Sequence, residues 1–463
     1  MKKTKLTTLL ISTIIILTGC KNPSDNSSSS KPDDIDDSSL ISETSELSDL
    51  DYLLEMINGN EVKDDIAYLS SPELDGRSPG TIGNDKAIEF IANRFEELGL
   101  EHFKDESYLQ PYVQEHTKIP VSYPVVYTYK EGSDNRHYYK YCQDYTFVPY
   151  RSSLSINKEI ELQFDLEVPN ANATFFTSEN NMYYTRFESD ANIFGVTSDL
   201  YFPSLEYGQG EYFSNDITGV RLLISESMKN SLQADFAENM RKMHVSWEYE
   251  NGEKEINNVV GILRGENVKD DKHIIISCHL DHVGRFGEGE DEYFPGALDN
   301  ASGTAGMLHL AKILSTVKDK LTKHVVFVAN NGEEGGLYGS NNYIYDPAIK
   351  IEKNLRLLLN LDMIGSDLDN EAPMEIIGNI SKTSQNNISE YAKKYGLTNY
   401  SFSGNSPDSD HYAVARLGIN SFTFCHYDNR FYHRPTDTVD HISEKVLEKH
   451  LLIALSYLSH SLL

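Results

Sequence analysis

The sequence predicts an α/β fold on a largely parallel sheet covered by helices on both faces, with a β-rich region inserted into it. Two observations carry this. From Asn257 onward, predominantly apolar runs without polar alternation are separated by helical stretches, the pattern of strands that meet water on neither side. Between about 110 and 255 that pattern stops. Tyrosine becomes frequent there, and runs such as "EIELQFDLEV" alternate polar with apolar, the period of a half-exposed strand.

Taken in order, residues 1–19 read as a signal peptide. Lys2, Lys3 and Lys5 precede an apolar stretch from Leu9 to Leu17, too short for a permanent membrane span. It closes on Leu17-Thr18-Gly19-Cys20, which resembles the lipobox of bacterial lipoproteins. That resemblance implies cleavage before Cys20 and lipid on its thiol and new amine. Residues 20–50, rich in Ser and Asp, have too little apolar surface to offset the entropy of ordering and read as a flexible tether. The expected location is therefore extracytoplasmic, at a bacterial membrane surface.

The rest divides into a main domain over 51–110 and 255–463 and an insert over 111–254. In the first segment, Ile88, Ile91, Phe95 and Leu98 share a helical stripe, and Gly99 stands where a C-cap glycine belongs. In the second, the strand candidates are "VVGIL", "HIIISCH", "HVVFVAN", "LRLLLNL", "MEIIG" and "SFTFCH". A helix, "GTAGMLHLAKILSTV", lies between the second and third of these. The insert offers one helix near "SLQADFAENMRKM" and no ligand-type cluster. A formal charge of −30 argues against a nucleic-acid partner, since nothing builds a phosphate-neutralising surface. Cys142, Cys278 and Cys425, an odd number without close spacing, do not read as a disulfide framework, and Cys278 reads as buried packing.

The chemistry gathers at the ends of the apolar runs, where open parallel sheets carry functional groups. His279 stands in "SCHLDHVG", Asp299 in "GALDNASG", Glu334 in "NNGEEGGLYGS", Asp362 in "LNLDMIG" and His433 in "FYHRPTDTVD". Singly, each has a plainer reading: a surface histidine, a helix-capping aspartate, an acidic turn. Asp362 is harder to set aside, because a lone carboxylate beside a buried strand is costly without a counter-ion. Together, two imidazoles and three carboxylates can hold two zinc ions if one carboxylate bridges them. Two ions sharing a water lower its pKa towards neutrality. Glu333 is then free to take the proton as that water attacks an amide carbonyl and return it to the leaving amine. Tyr432 could meet the developing oxyanion, and Asp281 could orient the ring of His279. This is the inventory of a metal-assisted peptide hydrolase acting on peptide substrates.

With these residues in view, 62–100 and 257–463 resemble the dinuclear zinc aminopeptidase family that also includes glutamate carboxypeptidase-like enzymes. "LDGRSPGTIGNDKAIEFIANRFEELGL" and "GNSPDSDHYAVARLGINSF" are similar to family segments. The resemblance implies a three-layer α/β/α sandwich around a mixed eight-stranded sheet. It implies His279 and Asp362 on one zinc, Glu334 and His433 on the other, and Asp299 between them. It further implies Glu333 as general base, Tyr432 as oxyanion partner, structural roles for Asp410 and His411, and a cis peptide after Asp299. The insert stands where many relatives carry a protease-associated domain. Aminopeptidase is the leading reading. Arg430 and Arg434 flank the last ligand and could clamp a carboxylate, which keeps a carboxypeptidase or dipeptidase open. A one-zinc glutaminyl cyclotransferase and a non-catalytic binding lipoprotein are the remaining alternatives, the latter disfavoured by the complete ligand set.

Overall fold

The computed structural model describes residues 46–147, 155–162, 174–176, 193–197 and 219–463. The signal peptide, Cys20 and most of the expected tether lie outside the described residues. A helix over Glu46–Glu55 begins inside the stretch expected as tether, and its Leu53 is fully buried. Among the described residues, no helix is long and apolar enough to cross a membrane.

Eight strands position the site. They are β1 (Leu109–Tyr129), β2 (Lys242–Leu263), β3 (His273–His279), β4 (His324–Asn330), β5 (Leu355–Asp362), β6 (Met374–Asn379), β7 (Tyr400–Ser403) and β8 (Ser421–Cys425). Their order is β7-β6-β8-β5-β3-β4-β2-β1 within an 11-stranded sheet, which Glu101–His102, Arg136–Tyr139 and Ser155–Glu161 complete. The sheet is mixed and parallel at its centre: β4, β3, β5 and β8 run the same way. All six apolar runs are strands or parts of strands. β3 is buried at every position, because alternate residues feed opposite layers. Ile274, Ile276 and Cys278 join one hydrophobic core, while Ile275 joins the other with Val326, Val328 and Leu358.

Helix α1 (Ile82–Glu97) starts at Thr81, whose hydroxyl accepts from the Asn84 N–H at 3.2 Å. It buries Ala87, Ile88, Ile91 and Phe95, each large apolar side chain contributing roughly 1.5–3 kcal/mol. It ends at Gly99, whose φ of 64° only glycine adopts without strain. Helix α2 (Ser302–Ser315) and helix α3 (Glu444–Leu462) pack on that face, with the helices over Gly59–Leu69 and Lys382–Lys394.

The insert grows out of the main sheet. β1 and β2 pair from Leu109 opposite Val259 to Tyr129 opposite Lys242, so one hairpin-like ribbon serves both regions. Beyond it, Tyr145–Phe147, Thr174–Phe176, Ile193–Thr197 and Arg221–Ser225 form a four-stranded sheet beside a helix over Glu226–Ala237. That core takes in Trp247, Phe194 and also Phe294. Val283 and Phe286 pack against it. The insert therefore touches the loop that leads from His282 to Asp299.

Candidate metal centre

The parallel register places the carboxyl ends of β3 and β5 side by side, bringing His279 and Asp362 within reach of each other. His279 Nε2 lies 3.3 Å from Asp362 Oδ1 and 3.5 Å from Asp299 Oδ1. On the other oxygen of Asp299, His433 Nε2 lies 3.3 Å away, and it is 3.0 Å from Glu334 Oε2. Asp299 thus faces two donor groups, one with each carboxylate oxygen. Ligands around a four-coordinate zinc with bonds near 2.0–2.1 Å sit about 3.3 Å apart, so both groups fit such an ion. All five side chains are buried. Burial works against charge on His279, but Asp362, Glu333 and Asp299 outweigh it and raise its pKa well above the usual imidazole range. Glu334 and Asp299 do the same for His433. Each ring therefore sits where a positive charge is wanted.

Glu333 lies beside the His279 group, within one possible ion's reach of His279 and Asp362. Burial pushes its carboxyl well above the ordinary range, and the like charges of Glu334 and Asp362 add to this while His279 opposes it. The Tyr432 ring stacks on His433 at 3.9 Å between centroids. Asp281 acts differently from the expectation. His279 Nδ1 is 3.2 Å from the carbonyl oxygen of Asp281 and 3.8 Å from its carboxylate. That carboxylate accepts the backbone N–H groups of Glu333 and Glu334, each at 3.2 Å. Asp281 thereby fixes the turn that carries Glu333 and Glu334.

Several residues at the site went unassigned at the sequence level. His282, fully buried, has Nδ1 2.9 Å from Glu334 Oε1 and 3.8 Å from Asp299 Oδ2. With Asp299, Glu334 and His433 it could surround one ion. Arg77 lies beneath the site and donates to the carbonyls of Leu69, Leu280, Pro295 and Gly296 at 2.6–2.9 Å. Desolvation lowers its pKa to about 10, yet it remains charged at neutral pH and ties three backbone segments together. Asp437 accepts from the N–H groups of Leu298 and Asp299 at 2.8 and 3.1 Å. Asn300 accepts from Gly303 and Met363 and donates to Leu361. Ser409 donates to Asp362 Oδ2 at 2.6 Å. The Asp299–Asn300 peptide is cis. Met363 and His433 have φ of 56° and 50°, a left-handed conformation costing such residues about 1–3 kcal/mol each. His411 and Asp410 sit away from the ligands in sequence; His411 Nδ1 meets Thr423 Oγ1 at 2.7 Å.

A cavity of about 280 Å³ opens onto His279, Asp299, Glu333 and Asp362. Met363, Ile377, Thr423, Cys425, Tyr427 and Tyr432 supply most of its walls, and Glu375 and Asp408 add two further carboxylates. Arg430 and Arg434 are not among its lining. Arg430 is held by Asp428 at 2.7 Å and by Asp367.

The family pattern of Peptidase family M28 matches residues 258–458. Aminopeptidase YwaD of Bacillus subtilis is 31% identical over 202 residues, 42% of this chain and 42% of that protein. The match thus spans less than half of the relative's length. Among solved structures, an aminopeptidase from Aneurinibacillus sp. strain AM-1 superposes with a TM-score of 0.57 at 18% identity, covering 89% of this chain and 95% of that one. A zinc aminopeptidase from Bacillus subtilis gives 0.59 at 17% identity, covering 88% and 95%. These structures share the fold described above.

Proposed function

We propose that this chain, whose residues 258–458 match peptidase family M28, is a zinc-dependent aminopeptidase that works with two ions. It would remove N-terminal residues from peptides outside the cell, tethered by lipid on Cys20. The supporting observation is the charge of the cavity. Two divalent ions offset Asp299, Glu334 and Asp362, and Glu333 is reserved for proton transfer. Glu375 and Asp408 are left over, and no lysine or arginine lines the cavity among the described residues. Such a cavity suits the ammonium end of a peptide and repels its carboxylate end. Arg430, committed to Asp428 and Asp367, does not supply the clamp a carboxypeptidase needs.

When bound, the ions would polarise the scissile carbonyl and make a water nucleophilic near neutral pH. The chain's own groups manage the protons. Glu333 accepts one as the water attacks and returns it to the nitrogen of the departing peptide. The products are a free amino acid and a shortened peptide. The Tyr432 phenol donates to the carbonyl oxygen as charge builds there. Asp281 and Arg77 keep the supporting turns in place.

The test is hydrolysis of aminoacyl-arylamides and of peptides with free or acetylated N-termini. Turnover should vanish on chelation, return with zinc, and require the free amine. Release of C-terminal residues from N-acetylated peptides would overturn the reading. For the tether, Cys20→Ala should move the protein from the membrane fraction to the medium or the soluble extracytoplasmic fraction; an unchanged distribution would exclude the lipid anchor.

A further inference from the structure

We infer that Glu375 selects the residue to be removed and that the preferred N-terminal side chain is basic, lysine or arginine. This rests on the aminopeptidase reading above. The geometry begins with register. Glu375 on β6 stands opposite Cys425 on β8, and Cys425 stands opposite Asp362 on β5. Residues directly opposite across a ladder share a face, so these three form one row, at the carboxyl ends of β5 and β8 and the amino end of the antiparallel β6. Ile377 and Thr423 form the next pair along that face. All five line the cavity. The floor of the cavity therefore runs from a metal ligand at one end to Glu375 at the other.

Two strand spacings separate those ends, about 10 Å between Cα atoms. A lysine held with its carbonyl at the metal end places its ammonium roughly 7–8 Å away when extended, as six bonds allow. With the Glu375 side chain leaning inward, that span is matched. The substrate's own α-amine sits too close to the scissile carbonyl to reach so far. It belongs near Asp408, whose neighbour Ser409 hydrogen-bonds Asp362 at 2.6 Å. Glu375 is thus left for the side chain.

The chemistry points the same way. Glu375 is half-buried, and its carboxylate has no hydrogen-bond or ion-pair partner among the described residues. Met363, Ile377 and Cys425 around it are apolar, suited to the methylene stem of lysine or arginine with the charged head beyond. A neutral side chain would strip water from the carboxylate and give nothing back. An acidic one would add like charge.

The experiment compares kcat/KM for lysyl-, arginyl-, leucyl-, methionyl- and glutamyl-arylamides, using the zinc-loaded full chain and its Glu375→Gln variant. In the parent, the basic substrates should exceed leucyl and methionyl by about tenfold or more, with glutamyl lowest. Glu375→Gln should cut the basic-to-leucyl ratio by about 10–100-fold, the worth of one charge-assisted contact. Asp408→Asn should instead lower all substrates together. Binding of free lysine against free leucine, read by thermal shift, gives the same comparison without turnover; lysine should bind more tightly to the parent and lose that advantage in Glu375→Gln. Hydrolysis without a basic preference, or a Glu375→Gln loss equal for every substrate, overturns the inference and leaves the aminopeptidase reading standing. Absence of any aminoacyl hydrolysis by the zinc-loaded chain overturns both.

Discussion

The two oxygens of Asp299 look onto unlike surroundings. On the Oδ1 side, His279 and Asp362 stand at strand ends, with Glu333 beside them at the cavity. On the Oδ2 side, Glu334 and His433 come from turns, and His282 closes the back of the group. Burial alone would raise the Glu334 carboxyl, but His433 and His282 outweigh it and hold it well below the usual range. The first half stands on strand ends and has a further carboxyl group, Glu333, at the cavity. The second half is saturated with donors from within the protein. The contrast suggests a division of labour, with one half facing the reaction and the other anchoring the pair.

The most severe way to break this comparison is to remove what the halves share. Asp299→Ala should reduce bound zinc from two ions per chain to at most one and cut turnover by about a thousandfold or more, since several kcal/mol of transition-state stabilisation go with the metals. Metal analysis beside arylamide kinetics checks it. A variant that still holds two ions would show that Asp299 does not bridge. Glu333→Gln addresses the Oδ1 side alone. Both ions should stay while kcat falls about 10²–10⁴-fold, the usual worth of a positioned general base. A variant with full activity would remove Glu333 from the mechanism.

The two halves were also unequally legible. The fold class could be read because β3, β4 and β5 are mostly apolar without polar alternation, a signal set by their burial on both faces. The residues at their ends then stood out, His279 and Asp362 most plainly. His282 shares its motif with His279 and was passed over, although a second imidazole three residues on was the available signal. Arg77 gave no local signal, since its partners at 280, 295 and 296 are more than 200 residues away in sequence. The insert was least readable of all. β1 contains Pro111, Pro120 and Pro124, residues that locally argue against a strand. The structure accommodates two of them where its register shifts, between Pro120 and Ser122 and between Ser122 and Val125.

A milder change sharpens the role given to the Oδ2 side. His282→Phe keeps an aromatic ring, somewhat larger than imidazole, and removes the nitrogen that meets Glu334. Weakening should be confined to one ion, about 10–100-fold in affinity, as expected for a residue that orients or supplements a ligand. Zinc titration of the metal-free chain should show one step moved and the other in place. If both steps move equally, the halves are not separate in the way their surroundings imply.

The smallest expected effect concerns pH and separates metal-free from loaded protein. Without metal, His279 and His433 have folded-state pKa values raised well above the ordinary 6.5 by their carboxylate neighbours, which outweigh burial. A raised imidazole stabilises the fold fully below its unfolded pKa, and that contribution fades as pH climbs through the folded value. Metal-free protein should therefore lose stability as pH rises past the ordinary imidazole value of about 6.5. Loaded protein should not, because its imidazoles are neutral ligands and higher pH frees them for the ions. The gap in Tm between the two forms should widen by a few degrees as pH climbs past that value. Repeating the scan with His433→Gln leaves only the His279 contribution, so the slope of the metal-free form should shrink without vanishing. An unchanged slope would mean that the proton held in place of a metal sits on the Oδ1 side alone.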